Sequence, residues 1–314
     1  MQPTHAPEIS VVIPVYKAEP LVDELLKQLT IELKGITSRY EIILVEDRSP
    51  DNSWLEIQKA QKLYPHIKAV RLSRNFGQHH AISAGLSLAD GDWVIVMDCD
   101  LQDQPSEISK LYHEAQKGFD IVLARRAARQ DNRLKRLSSR IFYSALGYLT
   151  GVEQDATVAN FGIYSRKVIA AINRMPESIR YFPTMVRWVG FKSTKLDVVH
   201  AARPEGETSY NFKRLLNLSL DICLANSEKP IRLAIKFGLL VAFTGFLYAA
   251  IIAIRAILGE IPVLGYASIL VSVWVLSGLM ICIMGVIGLY VGKSFEGIKN
   301  RPLYLIDEIE ENDN

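Results

Sequence analysis

Along the first 125 residues, short runs rich in Val and Ile alternate with longer stretches whose apolar positions recur at helical spacing. Ile9–Pro14 (ISVVIP) reads as a strand, and Pro20–Leu33 as the helix after it. Glu41–Val45 and Ser53–Tyr64 repeat the pair, as do Lys68–Leu72 with Phe76–Ala89 and Trp93–Met97 with Pro105–Lys117; Phe119–Leu123 is a fifth strand. Alternation at this spacing predicts an α/β fold, a Rossmann-like mainly parallel sheet with helices on both faces.

The pattern changes near the C-terminus. Phe237–Ile254 runs eighteen residues without a charge, close to the length a helix needs to cross hydrocarbon, and Ile261–Gly292 is a second uncharged run. Two transmembrane helices are expected. Arg232 and Lys236 precede the first run, and Lys293, Lys299 and Arg301 follow the second, so basic flanks place both termini in the cytoplasm. Met1–Glu8 is polar with two prolines, and no signal sequence is expected there. A mean hydropathy of +0.12 reflects this uneven distribution and argues against a wholly soluble chain. With 36 Lys+Arg against 34 Asp+Glu the net charge is only +2, so no nucleic-acid partner is expected. Cys99, Cys223 and Cys282 lie too far apart for a disulfide framework or a zinc motif.

In a parallel sheet, ligands bind beyond the carboxyl ends of the strands. Pro14-Val15-Tyr16-Lys17-Ala18-Glu19 follows the first strand, Glu46-Asp47-Arg48-Ser49-Pro50-Asp51 the second and Asp98-Cys99-Asp100-Leu101-Gln102 the fourth. No glycine-rich fingerprint follows the first strand, which disfavours a dinucleotide fold. Carboxylates at i and i+2 beyond a buried strand suit a hard divalent cation held in part by phosphates. Between Arg125 and Arg140 stand seven basic residues against one acid, Asp131. This run leads into the amphipathic stretch RLSSRIFYSALGYL, a combination that suits phosphate at a lipid surface.

The blocks VVIPVYKAE, ILVEDRSPDNS, RNFGQHHAISAGLSLADGD and VMDCDLQDQP, taken in order, resemble the family-2, GT-A-type glycosyltransferases. They are most similar to the polyprenyl-phosphate group that includes dolichol-phosphate mannose synthase. The resemblance covers essentially the whole chain. It implies a GT-A catalytic domain over 1–208, a juxtamembrane amphipathic helix over 209–231, a transmembrane hairpin over 232–292 and a cytoplasmic tail over 293–314. It also implies that Pro14, Tyr16, Glu19 and Asp47 hold the nucleotide, and that Asp98, Asp100 and Gln102 hold Mg²⁺ or Mn²⁺ as a DxDxQ site. Arg125, Lys135 and Ser139 would take the acceptor phosphate. His200–Tyr210 resembles an RxxGxSxY segment, which assigns Arg203 and Ser209 to the donor diphosphate.

The implied activity is inverting transfer of one sugar from a nucleotide-sugar, UDP-linked in most of the family, to undecaprenyl phosphate at the cytoplasmic face of the inner membrane. The product would supply cell-envelope glycan modification, and a homo-oligomer is expected. Catalytic roles fall on Asp100, Asn160 and Asp155. Many relatives carry an Asp where Asn160 stands; an ionised phosphate needs positioning and charge neutralisation more than a base, and Asp155 is the nearby carboxylate. A processive polysaccharide synthase is the alternative, but Thr184-Met185-Val186-Arg187-Trp188 has Thr where that class has Gln. A non-catalytic membrane scaffold is a third reading, opposed by the intact Asp98/Asp100/Gln102 set.

Overall fold

The computed structural model describes residues 6–64, 66–126, 158–175, 180–199, 229–258, 265–299 and 301–311. Eight strands form one sheet: β1 (Ile9–Val15), β2 (Tyr40–Glu46), β3 (Ile67–Leu72), β4 (Trp93–Val96), β5 (Ile121–Arg126), β6 (Val158–Ser165), β7 (Ser193–Val198) and β8 (Ile306–Glu311). Their spatial order is β7-β5-β6-β4-β1-β2-β3-β8. The stretch β3-β2-β1-β4 is parallel; β6 runs antiparallel between β4 and β5, and β8 antiparallel along β3. This is an α/β fold with a mixed, mainly parallel sheet.

Both faces of the sheet are covered, which is why β1 is buried at every position. Side chains alternate along it. Ile9, Val11, Ile13 and Val15 pack with α1 (Val22–Ile36), α2 (Ser53–Leu63) and α4 (Ile108–Ala115). Val12 faces the other side, with α3 (Gln78–Leu88), α5 (Arg166–Asn173) and α6 (Phe182–Trp188). Pro14 has a structural consequence as well. Val12 accepts a hydrogen bond from Met97 N–H on the β4 side, but Pro14, two residues on, has no N–H to offer there. The β1–β4 ladder stops at Val12–Val96, and the chain after β4 is released into a loop.

The five expected strands and four helices are present with shifted ends. A 3₁₀ turn at Glu19–Leu21 precedes α1, and another at Pro105–Glu107 precedes α4. Three strands were not expected. β6 and β7 complete the sheet beyond β4, and β8 lies in the segment expected to be a tail. Arg71 Nη1 lies 3.9 Å from Glu308, Lys68 Nζ 3.1 Å from Glu311 and Arg48 Nη1 2.9 Å from Asp307. β3 and the loop after β2 thus supply the cations that an acidic edge strand needs.

A second unit contains α7 (Lys229–Ile257) and α8 (Tyr266–Ile298). Ile231–Tyr248 within α7 is long and apolar enough to cross a membrane, and none of it is buried. In α8 an apolar stretch runs over Leu276–Gly292. Of the two expected spans, the described residues thus contain one helix that meets the length and composition. The helices approach where α7 has no side chain: a Cβ on Gly238 would lie 3.1 Å from Ile283 Cδ1.

Among the described glycines, Gly85 makes the tightest approach. A Cβ there would fall 2.4 Å from Val12 Cγ1 and 3.1 Å from Val45 Cγ2, both on stiff, fully buried side chains. Gly→Ala inside a helix ordinarily stabilises by roughly 0.5–1 kcal/mol, whereas overpacking a core costs about 1–3 kcal/mol. Gly85→Ala is therefore expected to lower the thermal midpoint, and a raised midpoint would contradict this packing.

Candidate active site

The strand registers bring the ends of the parallel strands level, since Val15 pairs with Glu46 and Glu46 with Arg71. The loops after β1, β2, β3 and β4 therefore share one edge. Three of them contain a non-glycine residue in the left-handed backbone region: Lys17 (φ 55°), Arg48 (φ 48°) and Leu101 (φ 59°). Such positions cost energy and persist where surroundings hold them.

A dense set of hydrogen bonds does so. Ser49 Oγ accepts from Lys17 N–H at 2.8 Å and donates to Asp51 Oδ1 at 2.5 Å. Asp51 also accepts from Ser53 Oγ at 2.7 Å and from Glu19 N–H at 3.2 Å. Glu19 returns the contact, accepting from Asn52 N–H and Nδ2, each at 3.1 Å. The Asp51 carboxyl lies below its usual range because these donors outweigh its burial. Tyr16 is left 44 % exposed at the edge, beside Lys17.

Asp47 is 3 % exposed and faces inward. Its oxygens accept from Phe76 N–H at 2.7 Å and Gly77 N–H at 2.8 Å, fixing the turn that leads into α3. Burial pushes its pKa up, and the two backbone donors oppose that rise. Glu46, equally buried, takes Ser49 N–H and pairs with Arg71 Nε at 3.2 Å.

Asp98 and Asp100 follow β4 and are partly exposed. Gln78 Nε2 donates to Asp98 Oδ1 at 2.7 Å, and Gln102 N–H donates to Asp100 Oδ1 at 3.1 Å. Cys99 between them is half-buried, its thiol pushed up to about 12 by desolvation, and it faces Tyr16 N–H. A protonated thiol is no competitor for a hard cation, and two carboxylates fit Mg²⁺ or Mn²⁺ in donor chemistry. Among the described residues no cluster of three or more His, Cys, Asp or Glu could hold a metal, so other oxygens must complete such a shell.

Residues 10–172 match the profile of glycosyl transferase family 2. The chain is 34 % identical to an uncharacterized glycosyltransferase of Synechocystis over 96 % of its length and 95 % of that protein. It is also 34 % identical to the undecaprenyl-phosphate 4-deoxy-4-formamido-L-arabinose transferase of Photorhabdus laumondii, over 96 % of this chain and 94 % of that one.

The chain belongs to glycosyl transferase family 2.

Among solved structures, the glucosyl-3-phosphoglycerate synthase of Mycobacterium tuberculosis, in complex with Mn²⁺, UDP and glucosyl-3-phosphoglycerate, overlays with a TM-score of 0.47 at 18 % identity, over 70 % of this chain and 78 % of that one.

In this family 2 glycosyltransferase the structure brings Pro14, Tyr16, Glu19, Asp47, Asp98, Asp100 and Gln102 to one sheet edge. Asn160 lies two residues before Gly162 on β6, and Gly162 pairs with Val96, two residues before Asp98; Asn160 is thus on the same edge. Arg125, next to last in β5, has its Nε and Nη2 donating to Asp197 of β7 at 2.5 and 2.9 Å. That pair holds the Asp197 carboxyl below its usual range. Asp155, Lys135, Ser139, Arg203 and Ser209 lie outside the described residues. Sequence reasoning missed Gln78, Ser49, Asp51 and Asp197 as organisers of the edge. For the middle pair a signal was present, because Ser-Pro-Asp-Asn-Ser is turn-forming and helix-capping chemistry.

His79 on α3 is half-buried and edge-on against Tyr181, 4.8 Å between ring centroids, and its shielded Nδ1 has no hydrogen-bond partner among the described residues. Burial lowers its pKa from 6.5 to about 4. The folded state therefore keeps it neutral while the unfolded chain takes up a proton below 6.5. Its contribution to stability is full above pH 6.5 and is lost as pH falls toward 4, at up to about 1.4 kcal/mol per pH unit. His79→Leu is expected to remove that part of the acid dependence of the thermal midpoint. An unchanged dependence would show that His79 is not buried neutral.

Proposed function

We propose that this glycosyltransferase moves a single sugar, with inversion, from a nucleotide-sugar, UDP-linked, to a polyprenyl phosphate of the undecaprenyl type at the cytoplasmic face of the inner membrane. The product is a lipid-linked sugar for cell-envelope glycan modification. The observation that carries the reading is a relative named for undecaprenyl-phosphate transfer that matches 96 % of the chain, through both the sheet and the apolar helix Ile231–Tyr248. A soluble acceptor would not need that helix, whose exposed Phe237, Leu239, Phe243 and Phe246 are unfavourable in water. The finer reading has two spanning helices, α7 and α8, with the sheet unit and both termini cytoplasmic, and a homo-oligomeric enzyme.

In this reading an oxygen of the acceptor phosphate bonds to the anomeric carbon as the bond from that carbon to the donor diphosphate breaks, and the nucleoside diphosphate departs. Asp98, Asp100 and Gln102 would hold a divalent cation, which supplies charge neutralisation for the leaving diphosphate. The exposed Tyr16 ring offers a flat surface for the base, and the tied loops after β1 and β2 hold the nucleoside end. Asp47 serves the donor indirectly, by fixing the Phe76–Gly77 turn. Asn160, uncharged on the same edge, can orient the acceptor without repelling its dianion. Asp155, Lys135, Ser139, Arg203 and Ser209 keep the roles the resemblance gives them.

The test is to incubate membranes containing the chain with a panel of labelled nucleotide-sugars and undecaprenyl phosphate, then identify the lipid product. One donor is expected to give a monoglycosylated lipid phosphate; polymer, or no lipid product with any donor, would reject the reading. Asp100→Ala is expected to abolish transfer without loss of membrane insertion, as is EDTA on the parent.

Arg125 separates donor from acceptor. Hydrogen bonds to charged groups are worth roughly 1.5–3 kcal/mol each, so losing one predicts about a ten- to hundredfold weaker acceptor interaction. Arg125→Ala is expected to raise the acceptor KM and leave donor KM close to the parent's. A variant that loses donor affinity instead would put Arg125 on the nucleotide side.

A further inference from the structure

We propose that Gln78 is a positioning residue for Asp98, setting how that carboxylate meets a divalent cation. The inference rests on the metal reading above and extends it to a residue outside the DxDxQ loop. The Gln78 amide donates to Asp98 Oδ1 at 2.7 Å, joining two different βα connections: Gln78 opens α3, and Asp98 follows β4.

The position of Gln78 is fixed by buried interactions rather than by its own contact. Gly77, immediately before it, has φ 97°, a backbone that L side chains rarely adopt. Asp47, buried between the sheet and α3, holds the N–H groups of Phe76 and Gly77. One turn into the helix, His80 N–H and Ala81 N–H both return to Gly77 O, at 3.0 and 3.1 Å. Further along, Gly85 seats α3 directly on Val12 and Val45. The first side chain of a helix held in this way has little freedom in where its Cα sits, and the amide reaches Asp98 from a defined direction.

The chemistry suits the task. A neutral amide donor restrains one carboxylate oxygen while leaving the negative charge of Asp98 for the cation. Partners of this kind around metal ligands typically change metal affinity 10–100-fold when removed.

The experiment is a Mn²⁺ titration of the full chain in detergent with saturating UDP, read from the EPR signal of free Mn²⁺, for the parent, Gln78→Ala and Gln78→Leu. Thermal midpoints without Mn²⁺, UDP affinity without Mn²⁺, and kcat are measured on the same preparations. Both variants are expected to bind Mn²⁺ at least about tenfold more weakly, to keep the parent midpoint and metal-free UDP affinity, and to regain kcat at high Mn²⁺. Parent-like Mn²⁺ affinity in the variants overturns the proposal even where turnover falls, because Gln78 would then act on donor or acceptor directly. A lowered midpoint with equal losses of Mn²⁺ and metal-free UDP binding also overturns it, marking Gln78 as a fold element. If the parent itself takes up no Mn²⁺ with UDP, the metal reading is what fails.

Discussion

The buried carboxylate of Asp47 is the contact on which the candidate site's geometry depends. It sits at the end of β2, is almost wholly shielded from water and uses both oxygens to hold the Phe76–Gly77 turn. Burying a charge is expensive unless it is fully hydrogen-bonded, so the turn is obliged to present those two N–H groups and α3 must start where it does. Gln78 then reaches the loop after β4, and one buried acid on the second strand constrains a loop two strands away. The neighbouring Glu46 closes the other half of the same connection through Ser49 and Arg71.

Much of this was legible in the sequence, because the central strands are buried on both faces and read as continuous β-branched runs. The strands that escaped are those whose environment comes from elsewhere in the chain. β6 carries Asn160 and Gly162, and a Cβ on Gly162 would lie 2.8 Å from Val122 O, so its glycine marks a close backbone approach rather than a loop. β7 is an edge strand with Ser193, Lys195 and Asp197 exposed. β8 reads as an acidic tail until Lys68, Arg71 and Arg48 are placed beside it; an isolated IDEIEE has no reason to be a strand.

The site residues divide in the same way. Asp98 and Asp100 stood out as candidates because carboxylates at i and i+2 beyond a strand suit a cation, whereas Gln102 was assigned only by the family resemblance. Asp47 was visible as an acid after a strand, but its inward orientation was not, since the two N–H groups that satisfy it lie thirty residues further on. Arg125 was visible as part of a basic run, whereas its partner Asp197 lies on a strand that sequence periodicity did not mark. An acceptor phosphate bound at Arg125, as proposed above, would have to share or displace that fork, so Asp197 belongs to any account of how strongly Arg125 attracts an anion.

Three left-handed non-glycine residues on one sheet edge bear on whether that edge is rigid or adaptable. Each such conformation costs on the order of 1–3 kcal/mol, and Lys17 and Arg48 sit within the lattice built from Ser49, Asp51, Ser53 and Glu19. Hydrogen bonds each contribute about 0.5–1.5 kcal/mol net, so a lattice of this size can offset the strain of two positions. Its ties are reciprocal: Glu19 holds the Asn52 backbone while Asp51 holds the Glu19 backbone. Neither loop can move without breaking bonds to the other. Leu101 is held differently, by the Asp100–Gln102 turn and by Gln104 Nε2 on its carbonyl at 2.9 Å, both within its own loop. The part of the edge after β1 and β2, proposed above to hold the nucleoside, is therefore pre-organised by contacts between loops. The carboxylate side is organised locally, and Gln78 links it to the rest.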